Sequence, residues 1–190
     1  EPQLADHAAV VRQLCERHRF IDPERIGMIG QSGGGNATAR ALFDYGDIFK
    51  VGVAACGNHD SNLFAALWSD KYRGPGHPAD WAEQANAAVA HKLTGKLLLI
   101  TGEMDEAVHV GHTLGVVDAL IRANRDFDML IVPNEGHSVL VTNGYAQRRA
   151  WDFLVRHLLK ETPPQDFRIE FDSHAMYRFM KRCAREVRNP

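Results

Sequence analysis

The residues best equipped for chemistry in this chain are Gly30-Gln31-Ser32-Gly33-Gly34, a serine set among glycines directly after a short apolar run. A serine hydroxyl becomes a useful nucleophile only when a neighbouring base takes its proton, and that base needs a carboxylate to fix its tautomer. A G-x-S-x-G stretch serves this purpose when a strand precedes it and a helix follows. The tight turn lifts the serine clear of the sheet, and the glycines omit side chains that would collide there. Ser32 is therefore the candidate nucleophile. A helix starting near Gly33 aims its unpaired amides and positive dipole end at the place where a tetrahedral oxyanion would form, which makes the Gly33 N–H the first oxyanion donor. Two blander readings compete: a structural serine in a glycine-rich turn, and a phosphate-binding loop. The phosphate loop needs G-x-G-x-x-G, or a lysine after the last glycine, whereas Ser32 is followed by Gly-Gly-Gly-Asn-Ala-Thr.

Such a turn needs a sheet to project from. Arg25 to Gly30, Val51 to Ala55, Lys96 to Thr101 and Asp128 to Pro133 are short apolar runs without polar alternation, the pattern of strands buried on both faces of a parallel sheet. Helical spacing predicts a first helix from about Ala5 to Phe20, with Ala8, Val11, Leu14 and Cys15 on one face. Further helices are expected at Asn36 to Phe43, around Asn62 to Trp68, around Trp81 to Ala90, at Val110 to Asn124, and from about Asn143 to Lys160. Strand alternating with helix gives an α/β fold: three layers, with a mostly parallel sheet between two layers of helices. Residues 1–160 read as the catalytic portion. Residues 161–190 read as an extension in which Pro163-Pro164 interrupts the chain. There Met176, Phe179, Met180, Cys183 and Val187 lie near helical spacing behind caps at Asp172 or Ser173.

In α/β-hydrolases the chain order is serine, acid, histidine, with the last two on loops after later strands. The run at Lys96–Thr101 leads into Gly102-Glu103-Met104-Asp105-Glu106, which leaves Glu103, Asp105 and Glu106 as acid candidates. His137 is the one histidine that follows the last predicted strand and precedes the last core helix. His109 and His112 beside Glu106 raise the question of a metal. The spacing of four that places two histidines on one face of a zinc helix is missing, so they read as ordinary histidines at a helix start and no metal is expected.

With these positions placed, the stretch from about Ile21 to Leu159 resembles the prolyl oligopeptidase family of serine peptidases, notably its dipeptidyl peptidase IV and acylaminoacyl-peptidase branches. The resemblance rests on Arg25-Ile26-Gly27, Gly30-Gln31-Ser32-Gly33-Gly34-Gly35, Phe49-Lys50-Val51-Gly52-Val53 and Trp68-Ser69-Asp70-Lys71-Tyr72-Arg73-Gly74. It continues through Gly102-Glu103-Met104-Asp105-Glu106-Ala107-Val108-His109 and Gly136-His137. The family pattern selects Asp105 as the triad acid and makes His109 part of an ordinary loop. It implies a peptide substrate, no cofactor, and a substrate pocket lined by Asn58, Ser61, Phe64, Trp68, Ala107 and Val108. For Phe64 and Trp68, the alternative is simple core packing.

Family members commonly carry an aromatic residue directly after the serine, where this chain has Gly33, so a wider pocket is expected. The resemblance also implies that the chain starts at the helix before the nucleophile strand. The earlier strands, a tyrosine oxyanion donor, the glutamates that hold a substrate amino terminus and, in most members, a β-propeller would then lie outside it. On that expectation Arg25–Ile29 becomes a sheet edge with unpaired backbone groups, through which the chain self-associates or pairs with the preceding part.

Composition narrows the partners further. With 45% hydrophobic and 24% charged residues, the chain reads as an ordinary globular domain. No apolar run approaches the roughly 20 residues needed to cross a bilayer. A formal net charge of -2 and a pI near 6.6 supply no general field to attract nucleic acid. Cys15, Cys56 and Cys183 match neither a disulfide framework nor a zinc pattern and read as buried or incidental thiols. The same triad would equally serve an esterase or acylase, and a non-catalytic binding module could keep the turn as a packing device.

Overall fold

A computed structural model of the chain describes residues 2–74 and 78–170. The expected C-terminal helix over Asp172–Pro190 lies outside the described residues. Four strands, β1 (Gly27–Gln31), β2 (Val51–Ala55), β3 (Lys96–Gly102) and β4 (Asp128–Val132), form one sheet in the order β1-β2-β3-β4. Every neighbouring pair is parallel, with Gln31 opposite Ala55, Ala55 opposite Ile100 and Gly102 opposite Val132. Parallel neighbours require a crossover, and helices supply it. The helices are α1 (Pro2–Arg17), α2 (Gly33–Asp44), α3 (Ala66–Arg73), α4 (Pro78–Gln84), α5 (Asn86–Val89), α6 (Gly111–Arg122), α7 (Val139–Thr142) and α8 (Gly144–Leu154), of which α2 to α6 lie between successive strands.

The two middle strands explain the layers. Along β3, Leu97 and Leu99 enter a core with Leu4 and Ala8 of α1, Leu42 of α2, and Val116 and Leu120 of α6. Leu98 and Ile100 enter a second core with Val139 of α7 and Ala146, Ala150 and Phe153 of α8. Successive side chains of a strand point to opposite faces, so a continuous apolar run is what burial on both sides demands. That is the expected architecture: an open parallel sheet with helices on both faces.

Several local expectations need correction. The runs Arg25–Gly30 and Asp128–Pro133 are expected to be buried on both faces, but β1 and β4 are the edge strands, and Ile29 and Ile131 remain 48% and 41% exposed. A 3-10 turn at Pro23–Arg25, capped by Asp22 accepting from the Glu24 amide, delays the start of β1 to Gly27. The edge position of β1 itself is the one expected from the family comparison. In α1, Leu4 and Ala8 are buried while Leu14 is exposed, so the buried stripe sits nearer the amino end than predicted. The helix expected around Asn62–Trp68 divides into a 3-10 turn at Ser61–Leu63 and α3, because Asp60 caps the turn by accepting from the Asn62 amide. The segment around Trp81–Ala90 likewise divides into α4 and α5. The last helix starts where expected, with α8 capped by Asn143; the short α7 precedes it, and α8 gives way to a π turn over Val155–Leu159.

One buried group makes the fold acid-sensitive. His59, only 2% exposed, accepts through Nδ1 from the Asn86 side-chain amide at 2.8 Å, and the same amide donates to the Asn36 carbonyl at 3.0 Å. Burial, with His112 nearby, pushes the His59 imidazole down to about 3 from its ordinary 6.5. The unfolded chain therefore takes a proton at this position first as the pH falls. Its contribution is complete above 6.5 and is lost through the window between 6.5 and about 3. The expected loss is about 1.4 kcal/mol per pH unit inside that window. Asp105 and Asp44, both held below their ordinary 3.8, extend the loss to lower pH. Urea midpoints measured from pH 7.5 downward should hold steady and then fall below pH 6.5; an unchanged midpoint at pH 4.5 would contradict the burial of a neutral His59.

Candidate active site

Because all neighbouring strands run parallel, the residues that follow them collect at one end of the sheet. Ser32 follows β1, Cys56 follows β2, Asp105 lies three residues beyond β3, and His137 lies in the loop after β4. Ser32 is the N-cap of α2 with φ 60 and ψ -124, a positive-φ conformation unusual for a residue bearing a side chain. Its amide donates to the Ala55 carbonyl at 2.9 Å and its own carbonyl accepts from the Asn36 amide at 3.0 Å. The turn is thereby pinned to β2 on one side and to α2 on the other.

The glycines around it are sterically required in two places. A Cβ on Gly30 would stand 2.3 Å from the Gly34 carbonyl oxygen, and one on Gly35 would stand 2.3 Å from the Ala55 carbonyl oxygen. The first amides of a helix have no intrahelical acceptor, so Gly33 at the start of α2 retains a free donor direction beside Ser32.

The candidate acid and the candidate base are joined directly. His137 Nδ1 lies 2.9 Å from Asp105 Oδ2 and 3.1 Å from Oδ1. The Val108 and Ala107 amides donate to Oδ1 at 2.8 and 3.0 Å, which fixes the carboxylate from behind. Burial alone would raise the Asp105 carboxyl, but the Val108 amide, His137 and the Cys56 thiol together hold it below its ordinary range. An ionised Asp105 only accepts, so Nδ1 carries the ring proton and Nε2 presents its lone pair. Of the loop's other acids, Glu103 instead accepts from the Asn134 amide at 3.2 Å, and Glu106 lies against Gly136. The His137 loop is tied down in turn. Glu135 accepts from Asn143 at 2.8 Å and from Thr142 at 3.2 Å, while Asn143 caps α8 by accepting from the Ala146 amide at 2.9 Å.

Among the described residues, the Ser32 hydroxyl makes no hydrogen bond to His137, so the structure brings together acid and base but leaves the serine on its own turn at the same end of the sheet.

The six pocket residues are spread over three segments. Asn58 and Ser61 are buried, and neither side-chain atom of Asn58 has a partner among the described residues. Phe64 and Trp68 stack edge to face at 5.3 Å, Trp68 meets Tyr72 at 4.7 Å, and Phe64 meets His112 at 5.9 Å. Phe64 and Trp68 are half-buried and belong to neither of the two buried cores. The Trp68 ring instead comes within 3.6 Å of where a Cβ on Gly33 would stand. Val108 is buried and Ala107 is exposed.

His109 accepts from the Gly111 amide at 3.0 Å, an ordinary turn contact, and His112 is buried. The group that sequence reading passed over is Cys56. Its Sγ, an Asp105 oxygen and a His137 nitrogen all lie within 4.8 Å of one another. The signal was positional: Cys56 directly follows a fully buried strand, at the end where the reactive residues gather.

Residues 1–161 match the prolyl oligopeptidase family. The chain belongs to that family. Its similarity to human (Homo sapiens) dipeptidyl peptidase 8 is 33% identity over 147 residues, covering 73% of this chain and 16% of that protein. To mouse (Mus musculus) inactive dipeptidyl peptidase 10 it is 28% over 141 residues, covering 72% of this chain and 17% of the relative. The crystal structure of Porphyromonas gingivalis dipeptidyl peptidase 4 superposes with a TM-score of 0.70 at 26% identity, over 83% of this chain and 22% of that one. This prolyl oligopeptidase family chain thus has an α/β-hydrolase sheet and spans about a fifth or less of the length of these relatives.

Proposed function

We propose that this chain carries the catalytic machinery of a serine peptidase that cleaves peptides through an acyl-enzyme. The observation that carries the reading is the Asp105–His137 pair at 2.9 Å, at the sheet end where Ser32 occupies a positive-φ turn. Ser32 Oγ bonds to the substrate carbonyl carbon while its proton passes to His137 Nε2. The carbon–nitrogen bond then breaks and the leaving amine takes that proton. Water then attacks the resulting ester and gives a proton to the same base, the carbon–Oγ bond breaks as Ser32 recovers that proton, and the acid product leaves. Asp105 keeps the imidazole in the productive tautomer and stabilises the imidazolium. The Gly33 amide supplies one oxyanion donor, a contribution of about 3–4 kcal/mol for a group of this kind.

Contact between His137 and Ser32 tightens on substrate binding, since catalytic hydrogen bonds are often long in an unliganded site. Asn58, Ser61, Phe64, Trp68, Ala107 and Val108 form the pocket wall, and Trp68 covers the side that Gly33 leaves open. The names of the human and Porphyromonas gingivalis relatives favour release of dipeptides from substrate amino termini. The substrate-bearing assembly includes the preceding part of a longer protein or a second copy, which covers the β1 edge.

A fluorophosphonate probe should label the full-length protein at Ser32, and Gly-Pro or Ala anilides should turn over faster than short acyl esters. Preference for the esters would move the protein to the esterase or acylase class. A non-catalytic module is the second reading, favoured by the free Ser32 hydroxyl and by the inactive mouse relative. Failure of every serine-directed probe to label the intact protein would select it.

A further inference from the structure

Cys56 sits where a side chain is costly to place. Its φ is 47, in the left-handed region that favours glycine, and its amide is held by the Ile100 carbonyl at 2.8 Å. The residue is fully buried. A cysteine retained in this conformation at the mouth of the sheet points to something its side chain does. The Cys56 Sγ, an Asp105 carboxylate oxygen and a His137 ring nitrogen all lie within 4.8 Å of one another.

An ionised carboxylate offers about four acceptor sites. Asp105 receives the Ala107 and Val108 amides and the His137 Nδ1–H, which leaves an acceptor site on a carboxylate that has the Cys56 sulfur beside it. Burial, with the nearby Asp105 charge, pushes the Cys56 thiol up to about 12, so it stays protonated and donates over the whole working range. A permanently protonated, buried thiol is a poor nucleophile and a poor target for oxidation. Its chemistry here is that of a hydrogen-bond donor.

We propose that Cys56 is a positioning residue for the acid–base pair: its S–H donates to Asp105, fixes the rotation of the carboxyl plane, and so holds the His137 ring where Nε2 can reach Ser32. This rests on the reading of Asp105 and His137 as acid and base. The backbone donors restrain one oxygen, Oδ1, and a carboxylate anchored through one oxygen can still rock about that contact. A donor arriving from β2, opposite the β3 loop, removes this freedom.

The test uses the full-length protein with Cys56→Ser, which keeps a donor; Cys56→Ala, which removes it; and Cys56→Gly, which removes it in a backbone conformation that glycine adopts freely. Two readouts are taken: the rate of fluorophosphonate labelling at Ser32, and the downfield proton resonance of the His137 Nδ1–H in histidine-labelled protein. The expected result is labelling slowed about tenfold in the alanine and glycine variants, with the downfield resonance moved or broadened, and both properties recovered in the serine variant. The glycine variant should unfold at or above the wild-type temperature, which separates loss of the donor from loss of the fold. Wild-type labelling and an unmoved resonance in the glycine variant would overturn the proposal, as would a serine variant that behaves like alanine. If wild-type protein fails to label but shows the resonance responding to Cys56 in this way, the positioning role stands and the peptidase reading falls.

Discussion

Asp105→Asn in the full-length protein should slow acyl-enzyme formation by about four orders of magnitude while leaving the fold intact. The reason lies in which atoms face which. Oδ1 accepts the Ala107 and Val108 amides, so an asparagine must place its carbonyl oxygen there and turn its amide nitrogen toward His137. That nitrogen donates where Oδ2 accepted. His137 Nδ1 must then become the acceptor, the ring proton moves to Nε2, and the atom facing the nucleophile loses its lone pair. Geometry survives and the base does not. Stopped-flow measurement of the acylation burst checks this; a loss smaller than tenfold would mean that Asp105 does not set the tautomer.

The second large effect is expected from Gly30→Ala. The added Cβ would meet the Gly34 oxygen at 2.3 Å, its carbonyl carbon at 2.4 Å and its Cα at 2.9 Å, all backbone of the first turn of α2. No side chain can rotate away to relieve the clash. Either α2 shifts off β1, displacing the Ser32 turn, or the strand bends. Such overpacking costs about 3 kcal/mol where backbone must yield. Gly34→Ala is the control, since nothing lies within 4 Å of its Cβ and alanine favours the helix that follows. Urea denaturation should show a much lower midpoint for Gly30→Ala and an equal or higher one for Gly34→Ala. Equal midpoints for the two variants would show that the close approach of strand and helix is not needed.

What the sequence revealed, and what it hid, follows from how locally each feature is encoded. The strands at Val51–Ala55 and Asp128–Val132 were legible because an apolar run of strand length between turn residues has few other uses. The meeting of the two loops that carry Asp105 and His137 was legible through chain order, since both follow parallel strands and must emerge at one end, whereas the choice of Asp105 over Glu103 and Glu106 came from the family resemblance. Side-chain capping was harder to see. Asp60 starts a separate 3-10 turn at the head of the segment around Asn62–Trp68, whose apolar spacing reads as one helix. Burial of β1 was overestimated because the composition of Arg25–Gly30 says nothing about how many neighbours the strand has. Cys56 was invisible for a related reason: its φ and its approach to Asp105 depend on tertiary placement, and the residue type alone suggests only a small apolar filler.

The position of β1 at the sheet margin sets a gradient of local opening. Strands β2 and β3 are locked by neighbours on both sides, whereas β1 has one pairing partner and half-exposed faces. Backbone fluctuations in such a sheet begin at its margin and fade inward. The Ser32 turn and the His137 loop therefore follow the two marginal strands, β1 and β4, while the Asp105 loop follows an interior one. Whatever covers the β1 margin does more than add contact area: by damping those fluctuations it governs how often hydroxyl and imidazole meet.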